Sequence, residues 1–467
     1  MTASSATQPN SIFVQIASYR DSQLIPTLLD LIDKARKPDL LRIVVCWQHA
    51  SDETPGAFWR QGFGKWRVTT ANGWARHLLE YRGAVVELID VPHLQTRGAC
   101  WARNLIQQCY GGERYTLQLD SHHRFVDHWD TIVIDMLESL RDKSEKPVLT
   151  AYLPAFDPEN HAAPNGPPQF MCFDRFGIEG VVMFRGRHLR ADESGTQPVM
   201  ARFYSAHFAF ADGHFAEAVR HDPQFFFLGE EISIAARAFT HGYDLYHPHR
   251  VIAWHEYTRR HRVKMWDDHN DQAKQRGEID AHWVERDVIA YRRNRALLGV
   301  DGQTYDPADF GPYGLGTRRT LAEYEAYAGI RFACRGVHEA TLNHEPPQPP
   351  GTWHPNDPAW QARLRRANDV RVCLHRNTFD TFATVQPGHG ALSSAVSAVV
   401  TIHDANGLEL HRETIETHRL SEHRTDDWLD LHVIFVSALE HAPNRYTVEL
   451  LDSSGNLLSR VEHAVIV

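Results

Sequence analysis

Residues 115–119 (YTLQL) form an apolar run that is followed directly by Asp120, Ser121 and His122. On an extended chain, side chains two residues apart point to the same side, so Asp120 and His122 can bind one divalent ion at the end of a strand. Such an ion neutralises the charge that develops on a diphosphate leaving group. The spacing therefore predicts a metal site, with a simple strand end as the alternative because Asp-x-His pairs also occur by chance.

His255 follows another apolar run, residues 251–254 (VIAW), which ends a strand predicted over residues 246–254. In parallel sheets the ligand lies beyond the carboxyl ends of the strands, which is where such a histidine would be placed. We therefore predict that His255 is a third ligand of the ion held by Asp120 and His122. The alternative is an ordinary loop histidine in a chain that contains 30 of them.

Two arginines lie at the start of the helix predicted over residues 98–109, in the sequence TRGACWARN. Arg97 and Arg103 could both reach an anionic phosphate, Gly98 lets the backbone approach it, and the helix N-terminus adds its dipole. The alternative is a helix start with two solvated arginines. The chain has neither a Walker loop nor a G-x-G-x-x-G motif, which argues against kinases and dinucleotide enzymes.

Two adjacent acids, Glu230 and Glu231, follow three phenylalanines, a leucine and a glycine. Acids at a helix N-terminus are favoured by the helix dipole, so a purely structural role is one interpretation. An apolar wall beside carboxylates is also typical of a pocket that binds the hydroxyl groups of a sugar or an acceptor. We favour the second interpretation and predict that Glu230 and Glu231 are catalytic.

Residues 255–262 (HEYTRRHR) form a basic segment. We expect this segment to close over a donor as a lid, with Arg259 or Arg260 contacting phosphate. A solvated basic loop is the alternative.

Apolar runs without polar alternation, separated by helical segments, occupy the N-terminal part of the chain. They predict a mostly parallel sheet covered by helices on both faces, an α/β fold. The runs span residues 12–17, 41–47, 84–89, 115–119 and 147–153.

A proline-rich segment divides the chain near Asn343. Its composition cannot propagate a helix or a strand ladder. Beyond it, short strand patterns alternate with turn signals such as Asn406-Gly407, which predicts an antiparallel β-sandwich. We therefore predict a domain over residues 1–342, a linker over 343–367 and an accessory sandwich over 368–467.

Charge and composition exclude several classes of protein. The net charge is −10 and there is no long Lys/Arg block, so nucleic acid is not an expected partner. No run of about 20 apolar residues predicts a membrane span. The six cysteines lie far apart without a C-x-x-C, and the first ten residues lack the pattern of a signal peptide. We expect a cytoplasmic protein with reduced cysteines and no membrane partner.

Six motifs occur in one order between residues 11 and 332: IASYRD, RGACWARN, LQLDSHHRF, YSAHFAFADGHF, FLGEEISIAARAFTHGYDLY and AWHEYTR. Together they resemble the cytoplasmic N-acetylglucosaminyltransferases that modify hydroxyproline on a ubiquitin-ligase adaptor protein. They are similar, more remotely, to the polypeptide N-acetylgalactosaminyltransferases, which share the Asp-x-His and Gly-Glu-x motifs on a GT-A fold. The segment after residue 368 has no counterpart in the first family.

This resemblance implies a GT-A-like domain that binds UDP-GlcNAc with Mn²⁺ or Mg²⁺ and transfers the sugar with retention to a hydroxyl of a protein, a peptide or a small molecule. It assigns the metal to Asp120, His122 and His255, the donor to Ser18, Arg20, Arg97 and Arg103 beside Asp120, and the sugar or acceptor to Glu230 and Glu231.

Two other classes of protein remain open from the sequence. A metal-dependent hydrolase of a nucleotide sugar or phosphoester would release product without an acceptor, but the chain lacks H-E-x-x-H and a second Asp/His cluster. A carbohydrate-binding protein without catalysis would keep its sugar affinity when metal is removed.

Overall fold

A computed structural model describes residues 10–160, 166–189, 195–258, 262–380 and 390–465. Its strands are β1 Ile12–Tyr19, β2 Leu41–His49, β3 Gly64–Ala71, β4 Trp74–Tyr81, β5 Ala84–Pro92, β6 Tyr115–Asp120, β7 His123–Phe125, β8 Pro147–Thr150, β9 Gln169–Phe176, β10 Val182–His188, β11 Val199–Met200, β12 Phe208–Asp212, β13 Asp244–His247, β14 Ala253–His255, β15 Ile330–Arg331, β16 Gly336–His338, β17 Leu364–His375, β18 Ser397–His403, β19 Glu409–Ile415, β20 Trp428–Ala438, β21 Arg445–Leu451 and β22 Leu457–Ala464.

The α-helices of the described residues are α1 Leu24–Asp33, α2 Gly56–Arg60, α3 Ala99–Gln107, α4 Trp129–Glu138, α5 Phe215–Ala218, α6 Glu230–Thr240, α7 Met265–Asp268, α8 Asp271–Gln275, α9 Trp283–Leu298, α10 Leu321–Ala328, α11 Glu339–Leu342, α12 Pro358–Gln361, α13 Arg376–Asp380, α14 Ala391–Ser394 and α15 Thr417–His423. None of them has the length and apolar composition needed to cross a membrane.

A ten-stranded sheet forms the centre of the N-terminal part, in the order β11-β13-β8-β12-β6-β1-β2-β5-β4-β3. Its middle strands β6, β1, β2 and β5 are parallel, and antiparallel strands extend it on both sides. The predicted α/β class is therefore confirmed.

The central strands β1, β2 and β6 are buried on both faces of this sheet, which explains their continuous apolar runs. Val14 and Ile16 pack in one cluster with Leu28 of α1 and Val133 of α4. Phe13 points to the other face and packs with residues of α3. Because side chains alternate along a strand, a sheet covered on both sides requires apolar residues at successive positions.

The C-terminal part contains two antiparallel four-stranded sheets, β15-β16-β17-β20 and β19-β18-β21-β22. Val372 and Leu431 of the first sheet share one buried cluster with Val400 and Val448 of the second. The predicted β-sandwich is confirmed. Its longest strand, β17, begins at Leu364 and pairs with β16 from the segment before the proline-rich region; the exact domain boundaries stay a prediction.

The strand predicted over residues 246–254 is wrong in one respect: it is two strands, β13 and β14, in different sheets. Pro248 lies between them and has no N–H to donate to a strand ladder. The break frees β14 to pair with β7.

Candidate active site

The candidate metal ligands lie at the carboxyl end of the parallel strands. Asp120 ends β6 and lies in register with Ala17 of the adjacent β1. A two-residue turn, Ser121 and His122, leads from β6 to β7. β7 pairs antiparallel with β14, so that His123 lies opposite His255. This pairing carries His255 to the end of β6, although 135 positions separate it from Asp120 along the chain.

The ligand atoms of Asp120, His122 and His255 all lie within 4.8 Å of one another. The Nε2 atoms of His255 and His122 lie 3.4 and 3.7 Å from the same oxygen, Oδ2 of Asp120. One carboxylate and two imidazoles are a donor set that suits a divalent transition metal, and three protein ligands leave positions open for a substrate. The residues present therefore fit a divalent ion.

Asp120 is held from its other side by a buried arginine. Arg103 donates to Oδ1 of Asp120 at 2.7 Å and also to the carboxylate of Glu230. Burial alone would raise the pKa of Asp120, but the hydrogen bond with His255 and the charge of Arg103 hold it well below its ordinary value. Asp120 is therefore ionised, with Oδ2 directed at the two histidines.

His122 has a carboxylate partner that the sequence did not predict. Its Nδ1 lies 2.7 Å from Oδ2 of the buried Asp21, which also accepts from the Ser121 hydroxyl at 2.6 Å. Burial would raise the pKa of Asp21, but these hydrogen bonds and the nearby Arg262 lower it. The available signal was the position of Asp21 in the SYRD sequence, directly after β1.

His255 is fixed by aromatic neighbours. Its ring stacks on His207 with centroids 4.2 Å apart and meets Tyr257 edge-on at 4.4 Å. Burial lowers the pKa of His255 well below its ordinary value, so the imidazole is neutral at neutral pH. A neutral imidazole has the free lone pair that a metal ligand requires.

A cavity of about 160 Å³ adjoins this group of ligands. Charged and apolar side chains both line it, and Gly98 contributes backbone at the start of α3. Gly98 has φ 118° and ψ 175°, a conformation that only glycine adopts readily. The cavity has the mixed lining of a small-molecule site. Its other lining residues include Asp21, Arg103, Asp120, His122, Phe226, Phe227, Arg262, Lys264, Met265 and Trp266.

The residues predicted to bind the donor are not all at this cavity. Arg103 lines it, whereas Arg20 is paired with Asp268 at 2.8 Å. Ser18 is buried, and its Oγ has no hydrogen-bond partner within the described residues. Arg97 lines a second cavity with Trp101.

Neither of the two predicted catalytic acids lines this cavity. Glu230 is buried against Arg103, and its Oε1 lies 2.7 Å from His221 Nε2. Glu231 accepts from the Tyr152 hydroxyl at 2.8 Å and from the Ala206 N–H at 2.9 Å. Burial raises the pKa of Glu231 to about 7.

Part of the predicted lid can be located. Arg259 and Arg260 lie outside the described residues. The next described residue, Arg262, places Nη1 2.9 Å from His122 Nε2 and 3.4 Å from Asp21 Oδ2. The basic segment therefore reaches the candidate metal ligands.

The fold brings a candidate divalent-metal site beside a cavity, and comparison with protein families gives the class of protein, a glycosyltransferase. The model of the family described as Glycosyltransferase (GlcNAc) matches residues 11–334, well over half of the chain. The chain belongs to this family. No curated protein sequence matches it significantly.

Several solved structures are similar to parts of the chain. GalNAc-T7 with UDP, GalNAc and Mn²⁺ is 13% identical with a TM-score of 0.42, over 68% of this chain and 55% of that one. This chain thus spans about half the length of GalNAc-T7. S. aureus TarS 1-349 in complex with UDP is 10% identical with a TM-score of 0.32, over 68% and 80%. The mannosyltransferase PcManGT from Pyrobaculum calidifontis, with GDP-Man and Mn²⁺, is 13% identical with a TM-score of 0.30, over 68% and 70%.

Proposed function

We propose that this chain transfers N-acetylglucosamine from UDP-GlcNAc to a hydroxyl acceptor, with Mn²⁺ or Mg²⁺ and with retention at the anomeric carbon. The observation that carries the proposal is the convergence of Asp120, His122 and His255 beside a cavity, at the carboxyl end of the parallel strands. Membership of a GlcNAc glycosyltransferase family supports the choice of sugar.

Asp120 Oδ2 and the Nε2 atoms of His122 and His255 would hold the ion in this proposal. When bound, the ion neutralises the negative charge that develops on the departing UDP. Arg103 keeps Asp120 ionised and turned toward the histidines through its bond to Oδ1. The low pKa of His255 keeps the ring neutral at neutral pH, and when the ion binds, the one ring proton would have to lie on Nδ1 so that Nε2 carries the lone pair.

The donor would occupy the cavity, with its phosphates near the cationic residues. Lys264 and Arg103 belong to the lining, and anions are stabilised by such groups and by the N-terminus of α3. Arg259 remains a proposed phosphate contact. Ser18 and Arg20 remain proposed donor residues on the resemblance alone, whereas Arg97 remains one also because it lies at the start of α3. Arg20 would have to exchange its contact with Asp268 to take that role.

Glu230 and Glu231 remain the proposed catalytic acids, and their contacts suggest how each could act. Glu230 holds Arg103, which in turn holds Asp120. Glu231, whose pKa is raised, accepts a hydrogen bond from Tyr152. The ring of Tyr152 stacks on His207, which lies beside His255. Glu230 would act through Arg103, whereas Glu231 could exchange a proton near neutral pH.

The acceptor hydroxyl would attack from the face of the sugar that the leaving group occupies, so that no protein nucleophile is needed. The apolar residues of the cavity wall, Phe226, Phe227 and Trp266, could hold an apolar part of the acceptor. The resemblance suggests a hydroxyproline hydroxyl. A protein, a peptide and a small molecule are the three kinds of acceptor to compare.

We also propose a cytoplasmic location. All six cysteines are free thiols, as expected for a reducing compartment.

The donor and metal parts of this proposal are tested by UDP release from a panel of UDP-sugars by the wild type and by Asp120→Asn, with Mn²⁺ and without acceptor. Slow donor hydrolysis should be fastest with UDP-GlcNAc and should be lost on chelation. Asp120→Asn should lower it by about 100-fold or more, since it removes the charged ligand.

The matched control is Asp369→Asn. Asp369 is also a buried carboxylate that contacts a histidine, His432, but it lies in the sandwich. This variant should release UDP at the wild-type rate. UDP release by Asp120→Asn at the wild-type rate would contradict the proposal, as would release by the wild type that chelation leaves unchanged.

A further inference from the structure

Asp21 is a buried carboxylate that none of the steps above requires as a ligand. Its Oδ2 lies 2.7 Å from Nδ1 of His122 and its Oδ1 accepts the backbone N–H of Gln23 at 2.8 Å. The Ser121 hydroxyl adds a third hydrogen bond. Asp21 is therefore fixed by its own surroundings and can hold His122 in one orientation.

The chemistry of these contacts selects one tautomer of His122. An ionised carboxylate can only accept, so the Nδ1 atom that faces Asp21 carries the proton. Nη1 of Arg262 can only donate and lies 2.6 Å from Nδ1 and 2.9 Å from Nε2, so it can bond to the lone pair of whichever ring nitrogen carries no proton. The Asp21 carboxylate therefore determines the tautomer of His122. The lone pair is on Nε2, the nitrogen on the side of Asp120 Oδ2.

We propose that Asp21 is a positioning residue, which fixes the ring and the tautomer of His122 so that Nε2 is presented to a divalent cation. This inference rests on the proposed function, because it assumes that His122 is a metal ligand. Histidine ligands commonly donate their second N–H to a carboxylate, which fixes the ring and makes the ligand nitrogen more basic.

The two residues before Asp21 contact α7, which contributes to the cavity wall. Tyr19 donates to Asp268 at 2.6 Å, and Arg20 pairs with the same carboxylate. Asp268 ends α7, whose Met265 and Trp266 line the cavity. The end of β1 and the residues that follow it thus contact His122 through Asp21 and the cavity wall through Tyr19 and Arg20.

The experiment measures Mn²⁺ affinity by EPR, without nucleotide or acceptor, for the wild type, Asp21→Asn and Asp21→Ala. Both substitutions should weaken Mn²⁺ binding about 10- to 100-fold, the usual effect of losing such a partner. Asp369→Asn is the control and should bind as the wild type does, because Asp369 contacts Nδ1 of His432 at 2.6 Å in a different part of the molecule.

A second measurement needs no folded variant at position 21. Long-range ¹H–¹⁵N spectra of histidine-labelled, metal-free wild type at mildly alkaline pH report the tautomer of His122, whose signals are identified by their loss in His122→Gln. We expect the proton on Nδ1. A proton on Nε2 would overturn the inference even if the Asp21 variants did not fold.

The two proposals fail in different ways. If the wild type binds Mn²⁺ and Asp21→Asn binds it equally well, the role of Asp21 is wrong and the proposed function is unaffected. If the wild type itself does not bind Mn²⁺, both are overturned.

Discussion

Among individual residues, the predicted ligands could be found because their positions follow from strand ends. Asp120 and His122 come directly after one apolar run and His255 after another, and the structure brings their ligand atoms together. Asp21 also follows a strand end, but its contact with His122 could not be found in this way. Its role depends on a contact with a residue 101 positions away, and no local spacing encodes that contact.

The sequence also could not show that Arg97 and Arg103 would lie at different sites. Arg97 and Arg103 lie on either side of the start of α3, and both looked able to reach a phosphate. Arg97 lines a cavity with Trp101, whereas Arg103 is buried and pairs with Asp120 and Glu230. Which side of the helix faces the site depends on how α3 packs on the sheet.

Glu231 gives a prediction about pH. Its pKa is raised by burial from 4.5 to about 7. As pH rises through this window, the unfolded chain loses the proton first and the folded protein keeps it, so this group lowers the free energy of unfolding with rising pH. Glu231→Gln should remove that contribution, since glutamine has no proton to lose.

Denaturant unfolding at several pH values checks this. The difference in free energy of unfolding, variant minus wild type, should increase from the acidic end of the window to the neutral end. Glu278→Gln, at an exposed acid paired with Arg276, is the control for a change in charge alone. A difference that stays constant with pH would contradict the raised pKa of Glu231.

Among the secondary-structure elements, the parallel strands and α3 were predictable from their apolar patterns. The hairpin of β3 and β4 was missed because its first strand is largely exposed and has little apolar character. The two short strands β13 and β14 were merged into one prediction. Only tertiary pairing shows that β14, which positions His255, belongs with β7.

Gly98, at the start of α3, gives a prediction about how an element shapes the cavity. A Cβ there would lie 2.8 Å from both the ring and the carbonyl oxygen of Phe226, and the backbone has a positive φ. Gly98→Ala should therefore destabilise the protein by about 1 to 3 kcal/mol and displace Phe226 in the cavity wall. UDP affinity, measured by calorimetry, should fall together with the melting temperature.

The control for Gly98→Ala is Gly112→Ala. Gly112 also has a positive φ, but no atom lies within 4 Å of the position of its Cβ. This variant should lose stability from backbone strain and keep its UDP affinity. Equal UDP affinities for the two variants would show that contact between Gly98 and Phe226 does not shape the cavity.

For the molecule as a whole, the two-part organisation was predictable from the proline-rich segment and the change to strand patterns. The way in which the two parts join was not predictable from the sequence. β17 extends a sheet that starts with β15 and β16, and Ala367 of β17 packs in a cluster with Phe239 of α6. A boundary read from composition cannot reveal a sheet that continues across it.

The sandwich core gives a prediction about this organisation. Leu431 is fully buried in the core between the two C-terminal sheets. Leu431→Ala should lower the free energy of unfolding of the sandwich by about 2 to 5 kcal/mol through loss of buried contacts and a cavity. Mn²⁺ affinity below the unfolding transition should stay unchanged, because the ligands lie in the other part. Parallel loss of Mn²⁺ affinity would show that the sandwich supports the site.

The proposed chemistry depends above all on Asp120, His122 and His255 binding one divalent cation beside the donor. Crystals of the protein grown with Mn²⁺ and UDP, and measured for the anomalous scattering of manganese, would locate that ion. We expect an anomalous peak in contact with Asp120 Oδ2 and with Nε2 of both histidines, next to the diphosphate. A bound UDP with no peak among these three residues, or with manganese held by other side chains, would show that the metal site is wrong.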